Sequence, residues 1–297
     1  MTVVLVDGDP IVYRCGFAAQ QTVIHAVVEG PDGPKPYRFE GKGDRNRFLE
    51  EHADHELLSE EEEIVVEPLP FVLQTVKQVM GALETLGQPK VYLTGEGNFR
   101  EKLATIVPYK VGRRRMKRPE RYQEIRNYLT DRYGAQVING READDEISIA
   151  AHRCRKDGRQ FVVASIDKDL NQIPGEHYDY AQHVDYSVTE QEAEKWFWQQ
   201  VLSGDPTDSV PGCWKIGKKK AAELVDDWYL DGSAQADIWN NVLAQYAKSL
   251  FKSGCPYTDY EAAALETARL VYMQREPGEL WNPPGVAFGR IEGSDDD

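Results

Sequence analysis

The segment AQVINGREADDEISIA, residues 135–150, joins a short strand-like run to a stretch that is rich in acids. The run AQVI, residues 135–138, does not alternate clearly between polar and apolar residues, as expected of a strand covered on both faces. From Glu142 to Arg155 the apolar residues recur with helical periodicity. A strand, a turn and a helix in this order indicate one unit of a parallel α/β sheet.

Three further apolar runs have the same character and predict the other strands of this sheet. They are TVVLV at residues 2–6, KVYLT at 90–94 and FVVAS at 161–165. Segments with helical periodicity, such as Phe71 to Leu86, separate these runs. We therefore predict an α/β fold in which a mostly parallel central sheet is flanked by helices.

Acidic residues follow every predicted strand. They are Asp7, Asp9, Glu96, Glu142, Asp144, Asp145, Asp167 and Asp169. In a parallel α/β sheet the functional crevice lies beyond the carboxyl ends of the strands, so we expect these acids to meet there. An extended strand end would place Asp167 and Asp169 on one side and Lys168 on the other.

Two interpretations of the crowded acids are open at this point. Acids in the first turn of a helix favour its positive end, which would explain residues 142–146 without any function. Alternatively, carboxylates that converge from several strands would raise each other's pKa unless a cation lay among them. Mg²⁺ prefers oxygen ligands, and a pair of ions about 3.5 to 4 Å apart can activate water and stabilise a departing phosphodiester oxygen.

Composition and charge argue against a secreted or membrane-spanning protein. The chain has 297 residues and a net charge of −15. No basic leader precedes the first apolar run, and no apolar stretch approaches the roughly 18 residues that span a bilayer, so we expect no secretion and no membrane insertion. Four widely spaced cysteines fit a reducing cytoplasm better than a disulfide framework or a zinc site.

The charge is unevenly distributed along the chain. Residues 50–63 contain eight acids and no Lys or Arg, whereas residues 99–121 contain nine basic residues and two acids. A basic run of this kind is ordinarily a solvated face or arm. Because it directly follows the strand end at Glu96, we interpret it as a clamp for a phosphate backbone.

The stretch GDPTDSVPGCWKIGKKKAAELV, residues 204–225, combines acids, glycine turns and lysines. A helical turn would place Asp205 and Asp208 on one face. Glycine turns at the start of a lysine-fronted helix would present backbone N–H groups and charge to a phosphate. The plainer alternative is a helical hairpin with solvated lysines.

The chain is expected to contain two regions. Residues 1–198 form the α/β core, with an exposed acidic insertion at 30–70 and the basic region at 99–121. Thr189 and Glu192 have capping-box spacing and predict the start of a helix that closes this core. Residues 199–297 form a helical region that ends in an acidic tail.

In the order and spacing of these motifs the chain resembles the 5′-nuclease family, which includes bacteriophage 5′→3′ exonucleases, flap endonucleases and the 5′-nuclease domain of bacterial DNA polymerase I. The resemblance is carried by VDGD, YKVGRR, READDE, SIDKDLNQI and GDPTDSVPGCWKIGKKKA, and it covers most of the chain. The late segment ARLVYMQREPGELW is most similar to the phage exonucleases. The resemblance implies a PIN-like nuclease core followed by a helix-three-turn-helix element that grips duplex DNA.

The resemblance also implies roles for individual residues. The matching metal ligands, some direct and some through water, are Asp7, Glu142, Asp144, Asp145, Asp167, Asp169, Asp205 and Asp208. Glu96 is also expected among the metal ligands, although relatives commonly carry the shorter Asp at this position, and Asp9 matches no family role. Lys110 and Arg113 match a catalytic basic pair. The expected DNA contacts are Arg100, Arg114, Arg115, Lys117, Gly212, Ile216, Gly217, Lys218, Lys219 and Lys220.

The implied activity is a Mg²⁺-dependent, structure-specific 5′→3′ exonuclease and flap endonuclease that acts by a two-metal mechanism, with Mn²⁺ as a substitute and K⁺ at the helix-three-turn-helix. Expected partners are DNA with 5′ ends or flaps, RNA primer–DNA hybrids and replication proteins, with no membrane. The expected setting is phage replication in the host cytoplasm, where the enzyme would remove primers or degrade host DNA.

Two other functions compete with this one. VVLVDGDPIV, residues 3–12, also resembles the loop of haloacid-dehalogenase phosphatases, in which Asp7 would be the nucleophile and Asp9 the acid. Ser165 and the acids of GDPTD imitate later motifs of those phosphatases. Against that interpretation, WFWQQVLSG before Asp205 predicts a helix where those enzymes need a strand. A catalytically silent DNA-binding protein would not require so many acids.

Overall fold

The fold is described from a computed structural model that covers residues 1–115, 117–286 and 289–291. The strands are β1 (Val3–Asp7), β2 (Gln20–Gly30), β3 (Gly33–Phe39), β4 (Glu56–Val66), β5 (Gln88–Thr94), β6 (Gln136–Ile138), β7 (Phe161–Ala164), β8 (Gly175–Asp179), β9 (Val184–Val188), β10 (Glu279–Leu280) and β11 (Gly289–Arg290). The α-helices are α1 (Asp9–Ala18), α2 (Lys42–Glu51), α3 (Leu69–Leu86), α4 (Arg100–Leu103), α5 (Tyr122–Tyr133), α6 (Ala143–Lys156), α7 (Glu190–Ser203), α8 (Lys218–Leu230), α9 (Gln235–Ser249) and α10 (Tyr260–Val271). Two 3₁₀ helices cover Val111–Arg115 and Lys168–Gln172.

Six strands form one sheet in the order β6-β5-β1-β7-β8-β9. The first five are parallel, and β9 pairs with β8 in the antiparallel direction. All five residues of β1 are buried, because this strand lies between β5 and β7 near the middle of the sheet. The predicted α/β fold with a mostly parallel sheet is confirmed.

Helix α6 follows β6 and shows why this part of the chain folds as predicted. The backbone N–H of Glu142 donates to the carboxylate of Asp145 at 3.3 Å, which gives the helix a capped start. The apolar face of α6 then buries Ile147 and Ala151 in a cluster with Leu5 of β1 and Val163 of β7. This packing fixes the first turn of α6 at the carboxyl ends of the strands.

The helices from α7 to α10 surround a second apolar cluster. Trp198, Trp239 and Trp281 lie in it with ring centroids 5.2 to 6.4 Å apart. The expected capping box of α7 is present: Thr189 Oγ1 accepts from the N–H of Glu192 at 3.2 Å, and the Glu192 carboxylate accepts from the N–H of Thr189 at 2.8 Å. Helix α7 continues to Ser203, so the expected boundary at residue 198 falls inside a helix.

By its internal packing the chain divides into two compact units. One contains residues 1–10, 82–117 and 130–297, and the other contains residues 11–81 and 118–129. Every strand of the six-stranded sheet and helices α6 to α10 belong to the first unit. The residues discussed below as a site also belong to it.

Residues 30–70, expected as an exposed acidic insertion, are mostly exposed but contain regular elements that the sequence did not indicate. This segment contains β3, α2 and β4, and the two strands pair with β2 in an antiparallel sheet of order β3-β2-β4. Ile24, Val28 and Phe39 are buried on one face of that sheet with Phe48 of α2 against them. Acidic side chains on β4 obscured the alternation: Glu60 and Glu62 pair with Arg45 and Lys42 of α2.

The four cysteines are free: Cys15, Cys154 and Cys213 are buried, and Cys255 is half-buried. Within the described part of the chain, none of the helices has the length and apolar character that crossing a bilayer requires.

Candidate active site

Asp7 ends β1, in the middle of the row of acids at the carboxyl ends of the strands. Its side chain is buried, and its Oδ2 accepts from Ser165 Oγ at 2.8 Å. Burial raises the pKa of Asp7 to about 8, with further contributions from the carboxylates of Asp9 and Asp167 and an opposing one from the Ser165 hydrogen bond. A carboxylate here is costly unless a positive group compensates it.

Asp144 lies in the first turn of α6 and faces the same region. Burial raises its pKa well above the ordinary value, and Asp7, Asp167 and Glu142 raise it further. These influences show that the ends of β1 and β7 and the start of α6 bring their acids close together, as the sequence predicts.

Asp167 and Asp169 follow β7, but not as an extended strand end. Lys168 to Gln172 form a 3₁₀ helix in which the Asp167 carboxylate accepts from the N–H of Asp169 at 2.9 Å. Asp169 Oδ1 also accepts from Gln200 Nε2 of α7 at 2.7 Å. Burial raises the pKa of Asp169 to about 7, followed by the effects of Asp167, Asp205 and Asp208. Lys168 is exposed, as expected.

Asp205 and Asp208 come from the loop between α7 and α8. The predicted helical turn is wrong: Asp205 and Val210 exchange backbone hydrogen bonds at 2.9 and 2.8 Å and close a tight turn. Both acids nevertheless border one cavity. Its lining consists of Arg100, Tyr109, Glu142, Asp144, Asp169, Gln200, Asp205, Asp208, Val210, Leu270, Val271 and Met273.

Positive groups contact two of the acids. Lys110 Nζ pairs with Glu142 Oε1 and lies 3.4 Å from Asp208 Oδ2, and Arg113 Nη2 lies 2.9 Å from Asp208 Oδ1. Tyr109 OH lies 3.0 Å from Glu142 Oε2 and 2.8 Å from Asp208 Oδ2. Although burial opposes ionisation, Lys110 and then Arg100 keep the pKa of Glu142 below its usual range.

The structure corrects the roles expected of Asp145 and Arg100. Asp145 is fully buried, and Arg100 Nη1 and Nη2 donate to its two oxygens at 2.6 and 2.9 Å. Arg100 is also buried and donates to the carbonyl groups of Leu270 and Tyr272. This pair joins α4, α6 and the end of α10, so Asp145 has no oxygen free for a metal and Arg100 cannot reach DNA.

Glu96 and Asp9 lie at the margin of the cluster. Glu96 is exposed two residues beyond the end of β5, and its backbone N–H donates to Asn139 Oδ1 at 2.9 Å. Asp9 begins α1, and its Oδ2 accepts from the N–H of Thr94 at 2.9 Å. Asp9 matches no family role, but its carboxylate raises the pKa of Asp7 more than any other charged group does.

The cluster matches a divalent cation in charge and donor chemistry, because its donors are hard carboxylate oxygens and the pKa values of Asp7, Asp144, Asp169 and Asp208 are raised by burial and by neighbouring carboxylates. Among the described residues, however, no group of three or more His, Cys, Asp or Glu side chains is close enough together to hold a metal ion directly.

The residues expected to contact DNA lie in two places. Lys218, Lys219 and Lys220 are exposed at the start of α8, where Gly217 is the N-cap. Gly212 is buried at φ 64°, and a Cβ there would lie 2.2 Å from the backbone nitrogen of Gly204, so its role is to let two backbone segments approach. Ile216 is buried in the apolar cluster of α7 to α10, which corrects its expected contact with DNA.

Lys117 is exposed, in keeping with a DNA contact. The backbone of Arg114 and Arg115 continues the 3₁₀ helix that begins at Val111, whereas their side chains lie outside the described parts of the structure.

The structure adds three residues to which the nuclease interpretation of the sequence assigned no role. Tyr109 bridges Glu142 and Asp208, Ser165 donates to Asp7, and Gln200 connects Asp169 with Gln172. Tyr109 adjoins Lys110, and Ser165 stands directly before the acids after β7, so proximity to a motif was the available signal. Gln200 carried no signal, because its position in α7 becomes meaningful only after folding.

Comparison with known proteins identifies relatives of the same kind as those expected. The chain is 31% identical over 99 residues to the thermostable DNA polymerase I of Thermus thermophilus, which is 31% of this chain and 12% of the polymerase. It is 30% identical over 128 residues to the flap endonuclease Xni of Shewanella baltica, which is 39% of this chain and 49% of the relative. The resemblance to the 5′-nucleases is confirmed.

The structures similar to this chain agree with that relationship. A T5 5′-exonuclease with bound divalent zinc ions matches 91% of this chain and 88% of its own, with a TM-score of 0.53 and 16% identity. A T5 flap endonuclease in a pseudo-enzyme–product complex with DNA and metal ions matches 68% of this chain and 80% of its own, with a TM-score of 0.50 and 14% identity. These likenesses show the same fold as the 5′-nuclease structures.

No protein-family model matches the chain. The chain spans less than half the length of the polymerase and about half the length of the flap endonuclease.

Proposed function

We propose that this protein is a divalent-cation-dependent 5′ nuclease that hydrolyses DNA phosphodiesters near 5′ ends and at flaps. The observation that supports it best is the set of acids at the carboxyl edge of the sheet, in which burial and mutual repulsion raise the pKa values of Asp7, Asp144 and Asp169. Bound cations stabilise the ionised form of such acids, which otherwise lowers the stability of the folded state.

Mg²⁺ is the proposed ion, with Mn²⁺ as a substitute. The proposed ligands, direct or through water, are Asp7, Glu142, Asp144, Asp167, Asp169, Asp205 and Asp208, with Glu96 as an outer neighbour. Two bound ions would supply an activated water and stabilise the charge on the departing oxygen. Asp145 is not in this set, because Arg100 occupies both of its oxygens.

The chain itself contributes Lys110 and Arg113. Both lie against acids of the cluster, so they are placed to offer positive charge to a phosphate that enters it. Tyr109 holds Glu142 and Asp208 in position from the buried side. Ser165 restricts the Asp7 carboxylate in the same way.

DNA binding is assigned to basic residues outside the cluster. Arg114, Arg115 and Lys117 follow Arg113 in the chain, and Lys218 to Lys220 begin α8 behind the turn of Gly212 and Gly217. We interpret this turn and α8 as the helix-three-turn-helix, with K⁺ as its proposed ion. Lysines at a helix N-terminus neutralise phosphates without reading sequence.

The relatives named above support the activity and its substrate, since one is a flap endonuclease and one similar structure contains DNA and metal ions. RNA primer–DNA hybrids, replication proteins, a role in phage replication and a cytoplasmic location extend the same proposal.

The phosphatase alternative is disfavoured by the elements around its motifs. Helix α7 continues to Ser203, so a helix and not a strand lies directly before Asp205. The phosphatase interpretation also assigns no work to Glu142 or Asp144.

The function is tested with 5′-labelled duplex and flap DNA, incubated with Mg²⁺ or with a chelator. Short labelled products that depend on Mg²⁺ are expected, and their sizes give the balance between exonuclease and flap cleavage. A phosphorylated Asp7 trapped from a phosphate monoester, together with intact DNA, would instead support the phosphatase.

A further inference from the structure

Two turns in the helical part of the chain are joined through Trp214. Its Nε1 donates to the carbonyl of Ser253 at 3.1 Å, and its backbone N–H donates to Tyr257 OH at 3.0 Å. Lys252 Nζ donates to the carbonyl of Trp214 at 3.3 Å. The turn before α8 and the turn after α9 are therefore fixed to each other, and we call residues 213–220 and 248–257 together the lysine–aromatic surface.

Phe251 is the most exposed aromatic side chain of this surface. Its side chain is 91% exposed, immediately beyond the end of α9 at Ser249. A single exposed apolar residue is ordinary in a soluble protein. Phe251 differs because the turn that carries it is tied by hydrogen bonds to the lysine-bearing turn before α8.

The charge of the surface identifies the kind of partner. Residues 213–220 contain four lysines and residues 248–257 contain two, with no acid in either segment. The whole chain has a net charge of −15, so an acid-free region with six lysines is a local exception. Lysines and an exposed aromatic ring on two joined turns suit a polyanion that also offers apolar surface.

We propose that the lysine–aromatic surface binds the duplex part of the DNA substrate and that Phe251 packs its ring against the deoxyribose surface of that duplex. This inference rests on the proposed nuclease function and extends the DNA interface beyond α8 to the turn after α9. The lysines neutralise phosphates, and the ring adds an uncharged contact that tolerates any sequence.

The test compares the affinities of Phe251→Ala, Phe251→Trp and Leu230→Ala for a blunt DNA duplex across a range of salt concentrations. Phe251→Ala should raise Kd about tenfold, the order expected when one buried aromatic side chain is lost from an interface, while the slope of log Kd against log salt stays unchanged. Phe251→Trp should keep the wild-type Kd. Leu230 is the matched control: it is 83% exposed at the far end of α8, so its truncation should leave Kd unchanged.

A duplex Kd of Phe251→Ala equal to that of the wild type would overturn the inference, as would an equal loss of affinity in Leu230→Ala. Because the Phe251 side chain lies in solvent, its truncation should not change the melting temperature, which is measured alongside. Failure of the proposed nuclease function looks different: the wild type would then leave labelled DNA intact in Mg²⁺, whatever the variants bind.

Discussion

At the scale of single residues, Asp144 and Asp145 are neighbours with opposite environments. Asp144 lies among acids that raise its pKa, whereas Asp145 is held by both terminal nitrogens of Arg100. The same residue type is therefore repelled by neighbouring charges at one position and forms a buried ion pair at the next. Position relative to the start of α6 decides which of the two occurs.

This contrast predicts opposite effects on stability in the presence of a chelator. Asp144→Asn should raise the free energy of unfolding, because it removes a repelled charge. Asp145→Asn should lower it by about 3 to 5 kcal/mol, because Arg100 would remain as a buried and poorly compensated charge. Urea unfolding of both variants measures the difference, and changes of the same sign would contradict the assignment.

Lys110 offers a test of a catalytic role. Because its Nζ lies among Glu142 and Asp208, we expect it to stabilise charge on the reacting phosphate. Lys110→Ala should lower the single-turnover cleavage rate at saturating enzyme by about 10² to 10³. Lys117→Ala, an exposed lysine in the same basic region, should match the wild-type rate at saturation. If Lys110→Ala also matches it, Lys110 only assists binding.

At the scale of elements, the sequence predicts regular strands and helices but not the conformations of irregular turns. Continuous apolar runs indicated β1, β5, β6 and β7, because buried parallel strands need such runs. β1 and β7 are buried as expected, whereas β6 lies at the edge of the sheet with Gln136 and Val137 exposed, so the expectation that it is covered on both faces is wrong. The 3₁₀ helix after β7 and the bridged turn from Asp205 to Val210 were expected in other conformations. Their shapes depend on hydrogen bonds between polar groups, for which apolar periodicity gives no signal.

The turn between α7 and α8 makes a specific prediction about glycine. Gly212 has φ 64° and no room for a Cβ, whereas Gly232 has φ 71° and nothing within 4 Å. Gly212→Ala should lower the free energy of unfolding by about 3 kcal/mol or more, from backbone strain and steric overlap together. Gly232→Ala should cost only about 1 to 2 kcal/mol. Equal destabilisation of the two variants in thermal unfolding would show that the close approach to Gly204 is unimportant.

The start of α8 makes a prediction about binding. Lys219 and Lys220 are exposed beside Gly217, and replacing both by Ala should weaken duplex binding for all sequences. The slope of log Kd against log salt should fall by roughly one unit for each phosphate that is no longer neutralised. Lys77→Ala, an exposed lysine on α3, is the control. An unchanged slope in the double variant would remove α8 from the DNA interface.

At the scale of the whole molecule, the acid cluster links stability to pH and to cations. The pKa values of Asp7, about 8, and Asp169, about 7, in the folded state exceed the ordinary carboxyl value. At pH values between the ordinary and the raised pKa, the folded state therefore binds more protons than the unfolded state. Stability should therefore fall as pH rises from about 5 to 8 when a chelator is present. Mg²⁺ should reduce this fall. Melting temperatures across this pH range, with and without Mg²⁺, check the prediction, and a flat profile in chelator would contradict it.

Much of the candidate site could be predicted because its acids follow strands, and parallel strands end at one edge. The sequence could not show that Arg100 would bury itself against Asp145, since 45 residues separate them. Nor could it show that Gln200 of α7 would reach Asp169. Both facts depend on how helices pack on the sheet, which strand and helix patterns do not determine.

The central claim is that this acid cluster holds divalent cations for hydrolysis of DNA. It is tested most directly by the single-turnover cleavage rate of a 5′-labelled flap DNA, measured against Mg²⁺ concentration for the wild type and Asp144→Asn. The wild-type rate should rise from zero and saturate with Mg²⁺, and Asp144→Asn should lower that rate by at least about 10². Cleavage by the wild type in chelator, or an unchanged rate in Asp144→Asn, would contradict the claim.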